Sequence, residues 1–184
     1  SVDVKYLAVT GAGDDSIDWT DGWSGRLQFA AVYSNIPTSG DPRGIEADNR
    51  DKANDKTPFS DPQISNFTFV GTSGNQQGIL LRRGTKVTLV NGVVAGFPTG
   101  LDVDDTQTFT NFANDELTIQ SILIDSAQPF ANDGDGVPAF AADDNIVTRA
   151  NSLTDRFFPG SSELNVTPTS PPDAAAQAFF GSTI

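Results

Sequence analysis

The chain of 184 residues contains no cysteine, no histidine and no methionine. Without cysteine there are no disulfides, no zinc–thiolate sites and no thiol nucleophile. Without histidine the commonest general base near neutral pH and the commonest transition-metal ligand are missing. Ser–His–Asp and Cys–His catalysis are therefore excluded within this chain. Positive charge is also scarce: 11 Lys and Arg against 24 Asp and Glu give a formal charge of −13 and a pI of about 4.1. Such a surface repels nucleic-acid phosphates and anionic headgroups, so no nucleic-acid partner is expected. No apolar run is long enough for a membrane span, and no signal peptide is visible. The missing initiator methionine leads to the expectation that the chain is a piece of a longer protein.

What is abundant is turn chemistry. Seventeen Gly and 11 Pro, against 37% hydrophobic residues, favour many short elements over long helices. Five octets repeat: VKYLAVTG (4–11), LQFAAVYS (27–34), ISNFTFVG (64–71), LVNGVVAG (89–96) and TIQSILID (118–125). Their sixth positions are Val9, Val32, Phe69, Val94 and Leu123. A second series follows the first four octets, with apolar anchors Ile17, Ile45, Ile79 and Leu101. Paired short strands recurring in this way are the signature of coils in a parallel β-helix. An antiparallel sandwich is the weaker reading, because the one Asn-Gly pair, Asn91-Gly92, falls inside an octet rather than between two. Asn66 and Asn91 share an octet position and Gln120 follows them, which reads as an amide ladder along the axis.

The pattern predicts an all-β parallel β-helix of about five coils over residues 1–144. Insertions are expected at 49–62 and 126–144, where charge and proline replace the repeat, the first forming a wall of a groove. Residues 145–184 are expected to be a capping tail of loops and short helices, at 145–159 and 171–180, with Phe157, Phe158, Phe179 and Phe180 as packing residues. Open β-helix ends need covering, so additional chain or a subunit is expected there.

The segments GDDSIDW (13–19), GIEADN (44–49), GILLR (78–82) and GLDVDD (100–105) together resemble right-handed parallel β-helix proteins of the pectate-lyase-like superfamily. The resemblance is strongest to bacterial secreted or outer-surface proteins of unassigned activity. It implies a secreted or cell-surface location, and a scaffold shared by lyases, hydrolases, adhesins and tailspikes.

Several acidic groupings are candidate sites. GDDS resembles the paired-aspartate segment of polygalacturonase-type hydrolases, which makes Asp14, Asp15 and Asp18 the catalytic candidates. The Gly-His-Gly and Arg-Ile-Lys segments of those enzymes are absent. A lyase reading would use Arg82 or Arg83 as base and calcium on nearby acids. Calcium is the cofactor considered, with Asp102, Asp104, Asp133 and Asp135 as metal candidates. NDGDG (132–136) lacks the later bidentate acid of a calcium loop. If coils stack, Asp18, Glu46, Leu80 and Asp102 share one column. Trp19 and Trp23, with Glu46 and Asp48, are the ligand-binding candidates, as a sugar-stacking platform beside carboxylates. The expected function is a non-catalytic surface module with structural, assembly or glycan- or protein-binding roles. A polysaccharide or a surface protein is the expected partner. The alternative is a carbohydrate-active enzyme using the Asp14/Asp15/Asp18 cluster.

Overall fold

The computed structural model describes residues 2–35, 40–133, 136–170 and 174–181. Its strands are β1 (Val4–Thr10), β2 (Ile17–Trp19), β3 (Arg26–Tyr33), β4 (Ile45–Asp48), β5 (Gln63–Val70), β6 (Gln77–Arg82), β7 (Val87–Ala95), β8 (Thr99–Val103), β9 (Leu117–Asp125), β10 (Gln128–Phe130) and β11 (Ile146–Thr148). Odd-numbered strands form one sheet in the order β1-β3-β5-β7-β9-β11, called sheet A here. Even-numbered strands form sheet B, in the order β2-β4-β6-β8-β10. Every pairing is parallel, so each turn of chain lays one strand on each sheet. This is a parallel β-helix, as the repeats predict.

The interior is built from columns. Val9, Val32, Phe69, Val94 and Ile124 stack in register on sheet A, and Ile17, Ile45, Ile79 and Leu101 on sheet B. Most of these side chains lie in one buried cluster. The first four octets align as read. The fifth is displaced by one residue, because Leu89 pairs with Ile119 and not with Thr118.

That displacement changes the meaning of the asparagine column. In register, the position holds Tyr6, Phe29, Asn66, Asn91 and Ser121, with Gln120 one place earlier. All five have positive φ, between 57° and 62°. At this point each sheet A strand turns outward for two successive residues, and the pairing skips one position. Asparagine recurs because it tolerates left-handed backbone, not because amides form a ladder. Asn66 Oδ1 accepts from Gln28 Nε2 (3.3 Å) and Ser65 Oγ (2.7 Å). Asn91 instead exchanges two bonds with the Thr169 backbone, at 2.8 and 2.9 Å.

The tail therefore runs over the outer surface of sheet A. It contains α2 (Ser161–Leu164) and α3 (Ala174–Phe180). Phe180 is buried and accepts from Gln28 Nε2 through its carbonyl. Glu163 ties the tail together, accepting from Ser152 and Gly160. Burial raises the pKa of Glu163, and these hydrogen bonds outweigh it, leaving the carboxyl below its ordinary value. The expected helix within 145–159 is not formed. Strand β11 adds to sheet A there, Thr154 and Phe158 form a bridge, and Phe158 is exposed. Likewise, 126–144 is not all insertion, since β10 extends sheet B. A helix the repeats did not foretell, α1 (Thr106–Ala113), leaves sheet B after β8, capped by Asp105 accepting from Thr108 N.

Close packing between coils is clearest at Gly92, which pairs with Phe67. A Cβ at Gly92 would sit 2.1 Å from the Phe67 ring. Gly92→Ala is expected to lower unfolding free energy by about 1–3 kcal/mol, the usual cost of overpacking. Urea melts check this, and Phe67→Leu in the same chain should recover part of the loss.

Candidate functional site

Sheet B alternates strictly in its second to fourth strands. Ile45 and Ala47 point inward, so Glu46 and Asp48 point outward. The observed register is Asp18↔Glu46↔Leu80↔Asp102, the column read from the sequence. Asp48 lies opposite Arg82. The strand spacing of a parallel sheet, roughly 4.8 Å, brings groups from neighbouring coils within salt-bridge reach.

The outward face is consequently a lattice of cross-coil pairs. Arg82 Nε donates to Asp48 Oδ1 at 2.8 Å, and Arg82 Nη2 also donates to Glu46. Arg83 Nη1 donates to Asp48 Oδ2 at 2.6 Å. Arg43 Nη1 donates to Glu46 Oε2 at 2.9 Å and lies 3.5 Å from Asp15 Oδ1. Arg43 Nε reaches Gln77 Oε1 (2.9 Å), and Gln77 Nε2 reaches Asp102 Oδ2 (2.9 Å). The side chains of Asp15 and Asp48 are each only 8% exposed, so the pairs are partly dehydrated. Three guanidinium groups thus stitch the coils from Asp15 to Asp48.

The electrostatics follow from this packing. Burial, then the neighbouring charge of Glu46, pushes the Asp15 carboxyl up to about 6, against the opposing pull of Arg43. Burial and the Asp48 charge also raise Asp18, which accepts no hydrogen bond among the described residues. Burial lowers Arg82, but its bond to Asp48 and the charges of Asp48, Glu46 and Asp104 outweigh that, so it lies above the ordinary arginine value.

Beside this lattice, the 49–62 segment forms a wall. It is held by Asn49, 1% exposed, whose Nδ2 donates to the carbonyls of Asn54 (3.0 Å) and Lys56 (2.9 Å). Asn49 Oδ1 accepts from Ser60 N at 2.8 Å. Gly84, at φ 77°, lets the loop approach: a Cβ there would lie 2.0 Å from Asn54 O. Between loop, sheet and the start of α1 lies a cavity of about 590 Å³, lined among others by Asp51, Asp55, Arg82, Arg83, Asp104 and Gln107.

The structure brings together Asp15, Asp18, Glu46 and Asp48, while Asp14 is exposed at the edge of the same face. Trp19 is 4% exposed and points inward, donating from Nε1 to Thr85 Oγ1 at 3.1 Å. It is a core residue, because β2 alternates around an outward Asp18, and it offers no platform to a sugar. Trp23 is half-buried against it, with ring centroids 5.8 Å apart. Both border an apolar cavity of about 390 Å³ at the open end of the first coil. Asp102 is engaged by Gln77, Asp133 bridges Gly136, and Asp135 lies outside the described residues. Among the described residues no group of three or more acidic side chains is placed to hold a metal. Glu46 and Asp48 on this face are each matched to two guanidinium groups. Arg43 and Gln77 were missed by sequence reading. Their position at the head of each sheet B strand was the available signal.

Two predictions test this description. Asp48→Ala leaves Arg82 and Arg83 without their shared partner and should cost about 1–3 kcal/mol in urea melts. The raised Asp15 pKa means that the folded protein holds this proton more tightly than the unfolded chain. Its contribution to stability should therefore fall as pH rises from about 4 to about 6 and then stay level. Asp15→Asn should remove that fall, since Asn can still accept from Arg43 N, bound at 3.1 Å in the wild type. A wild-type pH slope unchanged in the variant would contradict the assignment.

A family model described as "Pectate-lyase like beta helix domain" matches residues 1–155. No curated protein and no solved structure matches the chain. With the all-parallel sheets and the in-register columns, this match shows that the chain belongs to the pectate-lyase-like β-helix domain family.

Proposed function

We propose that the outward face of sheet B, with the cavity beside the 49–62 loop, is a non-catalytic glycan-binding surface on an exported, surface-associated module. The observation that carries this reading is the mutual neutralisation of Arg43, Arg82 and Arg83 by Asp15, Glu46 and Asp48. A lyase base must lose its proton, so an arginine in that role needs a lowered pKa. Arg82 is displaced the opposite way. Glu46 and Asp48 are each held by two guanidinium groups and so do not serve as the free carboxylate a hydrolase needs to activate water, which leaves Asp18 as the one carboxylate of the group without such a partner. What remains is a rigid array of forked donors and acceptors repeated at the coil spacing, suited to the hydroxyls of an extended sugar chain. The strongly acidic composition suits the solubility an exported module needs.

The purified protein should be retained on immobilised polysaccharides with no release of reducing or unsaturated ends, and equally with or without calcium. Arg83→Ala is the informative variant, because Arg83 is half-buried at the cavity and Asp48 keeps Arg82 when it is removed. Retention should weaken roughly tenfold, about 1.4 kcal/mol. Cleavage would overturn the reading.

One observation favours a second reading. Asp15, with its pKa near 6, is protonated enough at mildly acid pH to act as a general acid, and Asp18 beside it is without a hydrogen-bond donor. Cleavage lost in both Asp15→Asn and Asp18→Asn, with an acid pH optimum, would establish a hydrolase instead.

A further inference from the structure

Tyr6 and Phe29 occupy the left-handed column of sheet A, at φ 62° and 61°. Bulky residues in that conformation cost roughly 1–2 kcal/mol each. Their rings stack, with centroids 5.1 Å apart and planes within 10°. Such a pair contributes about 0.5–1.5 kcal/mol, less than the two strained residues cost together. Tyr6 is 77% and Phe29 40% exposed, so ring surface of both remains open to solvent. The next two coils carry Asn66 and Asn91 at the same position, residues that adopt this backbone with little strain. At position 6, where most of the ring is exposed, asparagine would relieve the backbone with little burial lost.

The ring stack ends where the column changes from Phe29 to Asn66. Beyond it lies a cavity of about 340 Å³, lined among others by Phe29, Asn66, Thr68, Leu164, Val166 and Pro168. Its far side is the tail, fixed there by the paired bonds between Asn91 and Thr169. Asn66 Oδ1 is used by Gln28 and Ser65, while its Nδ2 donates to nothing among the described residues. The Thr68 hydroxyl is likewise without a partner among the described residues. A guest here must continue the stack with an apolar ring face and offer oxygens at its edge. A pyranose ring has both. Glu163 on the lining and the net charge of −13 disfavour anionic guests. The cavity is too small for the surface that a stable protein partner buries, roughly 800 Å² a side.

We propose that this cavity binds one pyranose ring of a neutral glycan, stacked on Phe29 and hydrogen-bonded by Asn66 Nδ2 and the Thr68 hydroxyl, at a site separate from the sheet B face.

The test uses glucose, mannose, galactose and N-acetylglucosamine, each alone and as a short β-linked oligomer. Binding is read from the Asn66 side-chain amide signals by NMR and from calorimetry. At least one of these sugars should shift those signals at millimolar concentration. Phe29→Asn should weaken that binding roughly tenfold, and Thr68→Val should weaken it several-fold. Because asparagine suits the backbone and Tyr6 is largely exposed, Tyr6→Asn should leave Tm unchanged or raised. Arg83→Ala should leave the Asn66 shifts intact, so this site and the sheet B face can fail independently. The proposal is overturned if no sugar moves the Asn66 signals, or if Phe29→Asn binds like the wild type. It is also overturned if Tyr6→Asn loses more than about 4 °C in Tm, which would make the stack structural.

Discussion

In-register parallel pairing between coils is the constraint on which everything else depends. A strand of sheet A or B has no hydrogen-bonding partner within its own coil. The coil above and the coil below supply them, so equivalent positions are held about 4.8 Å apart along the whole solenoid. Interior columns then become continuous apolar stacks, such as Ile17, Ile45, Ile79 and Leu101. Any backbone irregularity must also repeat, or the pairing fails. The left-handed residue at positions 6, 29, 66, 91 and 121 is that irregularity, present in five successive strands.

The same constraint makes the outward face of sheet B either costly or useful. Like residues stack on like, and stacked carboxylates repel. The chain relieves this by setting arginines between them: Arg43 joins Asp15 to Glu46, and Arg82 joins Glu46 to Asp48. The result is stiff, with each of its three arginines matched to carboxylates. It presents donors and acceptors in fixed positions, yet leaves little of the uncompensated charge that a catalytic base requires. Asp15 and Asp18 lie at the first-coil edge of this face, where burial, and then the charges of Glu46 and Asp48 respectively, raise their pKa values.

Much of the scaffold was legible in the sequence because interior columns need apolar residues at a fixed position, and four octets show it directly. The fifth was displaced by one residue because Leu123 and Ile124 are both apolar and either fits the sixth position, which set Gln120 beside Asn66 and Asn91 as if an amide were required. The position instead selects for a backbone conformation, which Ser121 also adopts. Trp19 was read as a platform from its acidic neighbours, yet alternation along a three-residue strand turns it inward. The strands β10 and β11 have three residues each, too few to display a period. The column Asp18, Glu46, Leu80 and Asp102 was predictable once the coils were aligned. The arginine bridges were not, because Arg43 lies at the entry to a strand and its partners Asp15, Glu46 and Gln77 come from three coils. Tyr6 and Phe29 looked like ordinary strand aromatics, and only their φ values and exposure set them apart.

A crystal structure of the protein with a retained oligosaccharide tests the central claim most directly, because it shows at once where sugar binds and whether it is cut. The account predicts an intact chain along sheet B, ending against Arg83 and the 49–62 loop, with the Arg82–Asp48 pair undisturbed. A cleaved product centred on Asp15 and Asp18, or a sugar chain that displaces the arginines from their carboxylates, would contradict it.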